Sequence, residues 1–184
     1  KNKVLLYLTI IVCIFSVVKY HYRFNEERKF NELQDVDLKK SINAEILHPS
    51  LAGLQWITIN FPEKPEEEIN ALKESMDIIK NDKRKKSLIT AYQFIAPSLL
   101  IYDYSPNQWH HPTVSFPIKG QKYFETYKSF FINSLQQNNI EVVYSIGKGG
   151  EEVLGLILTN NCFQTKKEGK IIFSHKLLKD CGDF

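Results

Sequence analysis

Hydrophobic and polar positions divide the chain into two regimes. From Val4 to Val18 (VLLYLTIIVCIFSVV) no charge interrupts an apolar run, and Lys1, Lys3 and Lys19 bracket it. At 1.5 Å per residue this run reaches only about 22 Å, against a hydrocarbon core of roughly 30 Å. Tyr20 and Tyr22 suit a membrane interface, and Lys3 and Lys19 can snorkel, which lengthens the usable span. We therefore expect a transmembrane helix over residues 1–22. A cleaved signal peptide needs small residues after its apolar stretch, whereas Val17-Val18-Lys19-Tyr20-His21-Tyr22 is bulky and basic. A buried soluble helix would carry a polar stripe, which Tyr7, Thr9 and Ser16 do not make.

Beyond this segment, apolar positions recur with helical or strand periods. Residues 23–55 read as a juxtamembrane connector. Phe24–Gln34 is helix-compatible through Phe24, Phe30 and Leu33, and Pro49 and Gly53 act as breakers. A soluble domain is expected over 56–184. It opens on an alternating strand, Trp56–Phe61, ended by Pro62. Pro65 then starts a helix where its missing N–H costs nothing, and Glu66, Glu67 and Glu68 complement the first-turn dipole. Ile69, Leu72, Met76 and Ile79 share one face of that helix, and Ser87–Ile95 reads as a buried strand. Residues 56–95 thus predict a strand–helix–strand unit with a parallel crossover. A long loop, 96–121, holds Pro97, Pro106, Pro112, Pro117 and Gly120. The remaining elements are a helix over Lys122–Gln137, a strand over Ile140–Ile146, a short helix over Glu151–Leu158, and a last strand or hairpin within Cys162–Leu178. The expected class is α/β: an N-terminal transmembrane helix followed by a small, mostly parallel sheet with helices on both faces.

Composition narrows the function classes. The 184 residues are 43% hydrophobic, enough for a core, and the net charge of +3 is spread among mixed acids and bases. That balance argues against a nucleic-acid partner. The basic run Lys80–Lys86 falls between two elements and reads as a solvated turn. The aromatic loop is the best place for a ligand, because open α/β sheets bind at the carboxyl ends of their strands. Tyr102, Asp103, Tyr104, Trp109 and His110 are the candidate contacts, since flat rings beside polar groups suit sugar rings. The competing reading is that the same aromatics fold the loop onto the domain. Asp103 is the best lone carboxylate for acid–base work, but no partner is identified, so no catalytic residue is assigned. His110 and His111 are adjacent and point apart in extended chain, so neither a metal nor another cofactor is expected. SIGKGGEE satisfies neither the Walker nor the dinucleotide glycine pattern, and no GxSxG occurs.

The cysteines leave two options. Cys13 lies within the apolar run. Cys162 and Cys181 could form a disulfide on the oxidising side of a membrane, closing about 20 residues for roughly 3 kcal/mol, or remain thiols in a reducing cytoplasm. Lys19, Arg23, Arg28 and Lys29 after the helix favour a cytoplasmic domain, although long domains translocate largely regardless of charge.

Several phrases together carry a family resemblance: KYHYRFNEERKFNEL, GLQWIT, PEEEINALKE, LITAYQF, KYFETYKSFFINSLQQNNIEVVY and CF…SHKLLKDC. In this order they resemble the C-terminal end of bacterial polytopic membrane proteins of the GT-C glycosyltransferase-like kind, in which a last transmembrane helix leads into a soluble tail. The resemblance covers nearly the whole chain, and none of its motifs is catalytic. It implies that Lys1 continues from a longer protein, that the tail faces the periplasm from the bacterial inner membrane, and that the Cys162–Cys181 bridge forms. It further implies a non-catalytic role beside membrane lipid and a glycan or lipid-linked sugar, because the catalytic acids of such enzymes lie in earlier loops; the residues themselves leave open a membrane-anchored α/β enzyme with a site around Asp103 and His110, or a partner-docking module.

Overall fold

The computed structural model describes residues 3–26, 33, 35–110, 114–147, 150–159 and 162–178. The chain divides into two compact units, one of 1–42 with 55–65 and one of 43–54 with 66–184.

The first unit holds helix α1 (Lys3–His21), which no tertiary contact buries. A π turn, Tyr22–Glu26, continues it. The apolar helical stretch runs from Lys3 to Asn25, 23 residues, and is long and apolar enough to cross a membrane. At 1.5 Å per residue it reaches about 35 Å, so the helical run past Val18 supplies the length the apolar stretch lacks. Within it Thr9 returns its hydroxyl to Leu5 O at 2.9 Å, satisfying the polar group inside the helix. Tyr20 stacks on Phe24 at 5.5 Å near the C-terminal end. Later in the unit a 3-10 turn, Leu38–Lys40, is capped by the Asp37 carboxylate accepting from Lys39 N. Strands β1 (Ile42–Asn43) and β2 (Gln55–Trp56) mark where the chain passes between the units.

The second unit is built on a four-stranded sheet of β3 (Lys86–Thr90), β4 (Val142–Ile146), β5 (Phe163–Lys167) and β6 (Ile172–Leu177), in the order β3-β4-β6-β5. Its helices are α2 (Pro65–Asn81), α3 (Ile95–Leu99), α4 (Phe124–Gln137) and α5 (Gly150–Ile157). The α/β class with an apolar N-terminal helix is as the sequence implies. The strand directions are not mostly parallel: β3 and β4 run parallel, whereas β4–β6 and β5–β6 are antiparallel. The parallel crossover is also displaced. It joins β3 to β4 through α3 and α4, while Trp56–Phe61 contributes no strand to this sheet. At that point Asn60 N bonds Thr58 Oγ1 at 3.2 Å, a local turn that competes with extended pairing.

Every residue of β3 and β4 is buried, so β4 reads as a near-continuous apolar run, while β3 buries Lys86, Ser87 and Thr90 beside Leu88 and Ile89. Alternation along the strands sorts the side chains onto two faces. On one face Ile89, Val143, Phe163 and Leu177 join Phe131 and Leu135 of α4 and Val153, Leu154 and Ile157 of α5 in a single core. Each fully buried Leu or Ile there contributes about 2 kcal/mol of transfer free energy. On the other face, the Ile69, Leu72, Met76 and Ile79 stripe of α2 is buried as its spacing predicts. Lys86 ties α2 to the sheet by donating to Ile79 O at 2.8 Å and to Asp82 O. A cation thereby meets the carbonyl end of the helix, where it is most favourable. Tyr144, also on this face, donates to Asp82 Oδ2 at 2.6 Å. Gly150, at the start of α5, lies so close to β4 that a Cβ would sit 2.0 Å from Ser145 Cβ.

Candidate functional site

The carboxyl end of the parallel pair β3 and β4 is where a ligand site belongs in such a sheet, and the aromatic loop after α3 runs along it. Among the described residues the outer edge of β3 has no strand neighbour. The loop supplies one in pieces: Leu88 N donates to Asp103 Oδ1 at 2.9 Å, and His110 N donates to Thr90 O at 3.1 Å. Asp103 Oδ1 also accepts Ser105 N at 2.9 Å, an Asx turn, and Ser87 Oγ at 3.4 Å. One carboxylate oxygen thus fastens the loop to the strand. Burial raises the Asp103 carboxyl above the usual carboxylate range, opposed by the hydrogen bonds from Ser105 N, Leu88 N and Ser87.

The loop is clamped from the other side by α4. Tyr127 donates to Asn107 Oδ1 at 3.1 Å, Asn107 Nδ2 donates to Ser115 O at 2.5 Å, and Ser134 donates to Tyr104 O at 3.1 Å. His110 is 9% exposed. Its Nε2 lies 3.4 Å from Ser105 Oγ, and its Nδ1 is buried without a hydrogen-bond partner. Desolvation alone pushes the imidazole down to about 4, so it is neutral in the folded protein near neutral pH. Its ring faces Phe116 at 6.0 Å, and Phe116 stacks on Tyr127 at 5.9 Å. Phe116 belongs to the main core and Tyr127 packs against it, so these contacts extend that core under the loop.

The five candidate residues therefore separate. Asp103 and His110 are brought together through Ser105, and both hold the loop to β3. Tyr104 packs against the main core. Trp109 is half-buried. Tyr102 is 75% exposed, set edge-on against Tyr104 at 4.7 Å. His111 lies outside the described residues. Among the described residues no group of three or more His, Cys, Asp or Glu side chains is arranged to hold a metal.

A second polar cluster escapes sequence reasoning. His175 on β6 is fully buried, with Nε2 2.7 Å from Ser145 Oγ on β4 and Nδ1 2.9 Å from Thr165 Oγ1 on β5. Phe163 meets its ring edge-on at 5.7 Å. Three strands are thus pinned by one imidazole. A serine beside a histidine is the start of a nucleophilic site, but here the geometry excludes that use. Ser145 is buried as well, and the α5 backbone at Gly150 occupies the space a substrate would need. A lone serine within the apolar strand IEVVYSI was the available signal.

Cys162 is buried and disulfide-bonded, while Cys13 is free. The expected partner, Cys181, lies outside the described residues. No protein-family model matches the chain, and neither a curated protein nor a solved structure matches it.

Proposed function

We propose that the chain acts as a membrane-tethered, non-catalytic α/β domain on the periplasmic face of a bacterial inner membrane, the tail of a glycosyltransferase-like membrane protein. The aromatic loop offers a surface to a glycan or lipid-linked sugar. The observation that carries the tether is α1, whose apolar side chains are exposed at every turn over a length that matches a bilayer core. The disulfide at Cys162 favours the oxidising side. For the loop, the geometry favours holding over chemistry, because Asp103 Oδ1 is committed to three donors. Tyr102 is the exposed ring on which a sugar face can stack.

The test is made in cells producing the full chain. Carbonate-washed membranes retain it, and protease added to intact spheroplasts digests the soluble unit. Recovery in the carbonate supernatant overturns the tether, and protection from protease overturns the orientation. Tyr102→Ala lowers binding of a lipid-linked oligosaccharide without changing the melting temperature. Unchanged binding removes the glycan contact from this loop.

A further inference from the structure

An open groove of about 750 Å3 lies on the second unit, between the 3-10 turn Pro49–Leu51, the C-terminal half of α2, and α3 with the start of the aromatic loop. Leu47, Leu99 and Leu100 supply apolar wall, and Lys73, Asp77 and Lys80 line the α2 side. Ser50 Oγ and Ser98 Oγ, 3.1 Å apart, join the 3-10 segment to α3 across its floor. Leu100 stands out twice. It is 94% exposed, and it caps α3 with φ 53°, ψ 37°, a left-handed conformation that glycine adopts readily and leucine does not. A bulky apolar side chain is held outward in strained backbone at the groove's lip, and such strain clusters at contact sites.

We infer that this groove seats the headgroup of an anionic phospholipid, with Leu99 and Leu100 entering the acyl boundary. Three observations favour a bilayer as occupant. Among the described residues Lys73 and Lys80 form no ion pair, and with Asp77 they leave the wall with a net positive charge that complements a phosphate. Apolar side chains beside lysines are the arrangement that lies in a membrane interface. The inference also rests on the proposed tether: the chain from Glu26 to Asn43, even fully extended, reaches about 60 Å. That length bounds how far Asn43, the first residue of the second unit, can stand from the surface that α1 enters. At the effective concentrations such linkers produce, on the order of millimolar, a weak surface contact is substantially occupied.

The experiment uses the full chain in lipid nanodiscs, of phosphatidylcholine alone or mixed with phosphatidylglycerol. Leu100→Cys in a Cys13→Ser background carries an environment-sensitive NBD label, attached without reductant so that the native disulfide stays intact. In anionic discs the label's emission shifts to the blue and is quenched by spin-labelled lipid. Lys73→Gln with Lys80→Gln lowers the docked-to-free ratio by about fivefold for each charge, about 25-fold together. A label at Tyr123, exposed and outside the groove, stays water-like. Thermal unfolding of each variant certifies the fold. Water-like emission at Leu100 in both lipids, with the chain still retained in the disc, overturns the docking and leaves the tether standing. A chain that never enters the discs overturns the tether and the docking with it. Equal quenching at Tyr123, or label burial that persists in detergent and grows with protein concentration, also overturns the inference. The latter result would assign the groove to a second protein copy.

Discussion

His110 makes the protein's stability depend on acid in a defined window. The imidazole titrates near 6.5 in an unfolded chain and is pushed down to about 4 by burial in the fold. Protonation is thus harder in the folded state, so the contribution of the neutral ring is complete above pH 6.5 and is lost as pH falls towards 4. At about 1.4 kcal/mol for each tenfold step in the protonation equilibrium, that interval corresponds to about 3 kcal/mol. Most of it is gone by pH 4.5, which for a domain of this size lowers the melting temperature by roughly 10 °C. His110→Phe removes the titration and the unpartnered Nδ1 while keeping a ring beside Phe116. It forfeits only the long 3.4 Å contact with Ser105. Two other carboxyls with shifted titration are separable. Asp103, raised by burial, favours the folded state as it protonates, which opposes His110 at the acidic end of the window. Burial pushes Asp82 up, but hydrogen bonds from Arg84 and Tyr144 overcome this and hold it at about 2, so its loss falls between 3.8 and 2, below the window. The assay is urea unfolding of the full chain in detergent at several pH values from 7.5 to 4.5, for parent and variant. The parent loses about 2 to 3 kcal/mol more than His110→Phe across this range. Parallel losses in the two proteins refute the reasoning.

Other expectations follow from close packing. Gly150→Ala forces a methyl onto Ser145 and costs about 3 kcal/mol, at the upper end for overpacking, seen as a lower urea midpoint with unchanged slope. Ser145→Ala removes the 2.7 Å contact to the buried His175 and destabilises by about 1–3 kcal/mol; a loss below a few tenths would show that the imidazole does not pin the strands. Cys162→Ser costs roughly 3 kcal/mol, and treating the parent with reductant reproduces its lower midpoint; a midpoint insensitive to both would remove the cross-link from the account.

Helix α2 was legible because two independent signals coincide, a proline at its first position and an apolar stripe at three- and four-residue spacing. Strand β4 was legible as a mostly apolar run, and β3 was legible in place but not in extent: the expected strand Ser87–Ile95 stops at Thr90, and Ile95 opens α3 where a loop was expected. Strand direction was harder to read. Alternating helices and strands suggest parallel pairing, but only four residues lie between Lys167 and Ile172, and Glu168 N closes on Ile172 O at 3.0 Å. A turn that short forces an antiparallel pair, since a parallel return needs a crossover of a dozen or more residues. Trp56–Phe61 alternates as a strand should, yet the Thr58 hydroxyl captures a backbone donor that a ladder would have used. The aromatic loop could be flagged from composition, but which of its residues face inward depends on the unpaired edge of β3, a tertiary fact. The Ser145–His175–Thr165 contact joins positions on three strands that only sheet register brings together.

Both margins of the sheet are guarded among the described residues, by different means. At β3 the loop takes up Leu88 N through Asp103 and Thr90 O through His110 N, and at β5 Lys166 and Lys167 are exposed. With the tether proposed above, copies held side by side in one leaflet would collide far more often than free molecules. A domain whose borders neither invite nor template an added strand can be packed densely there and still remain a set of separate molecules.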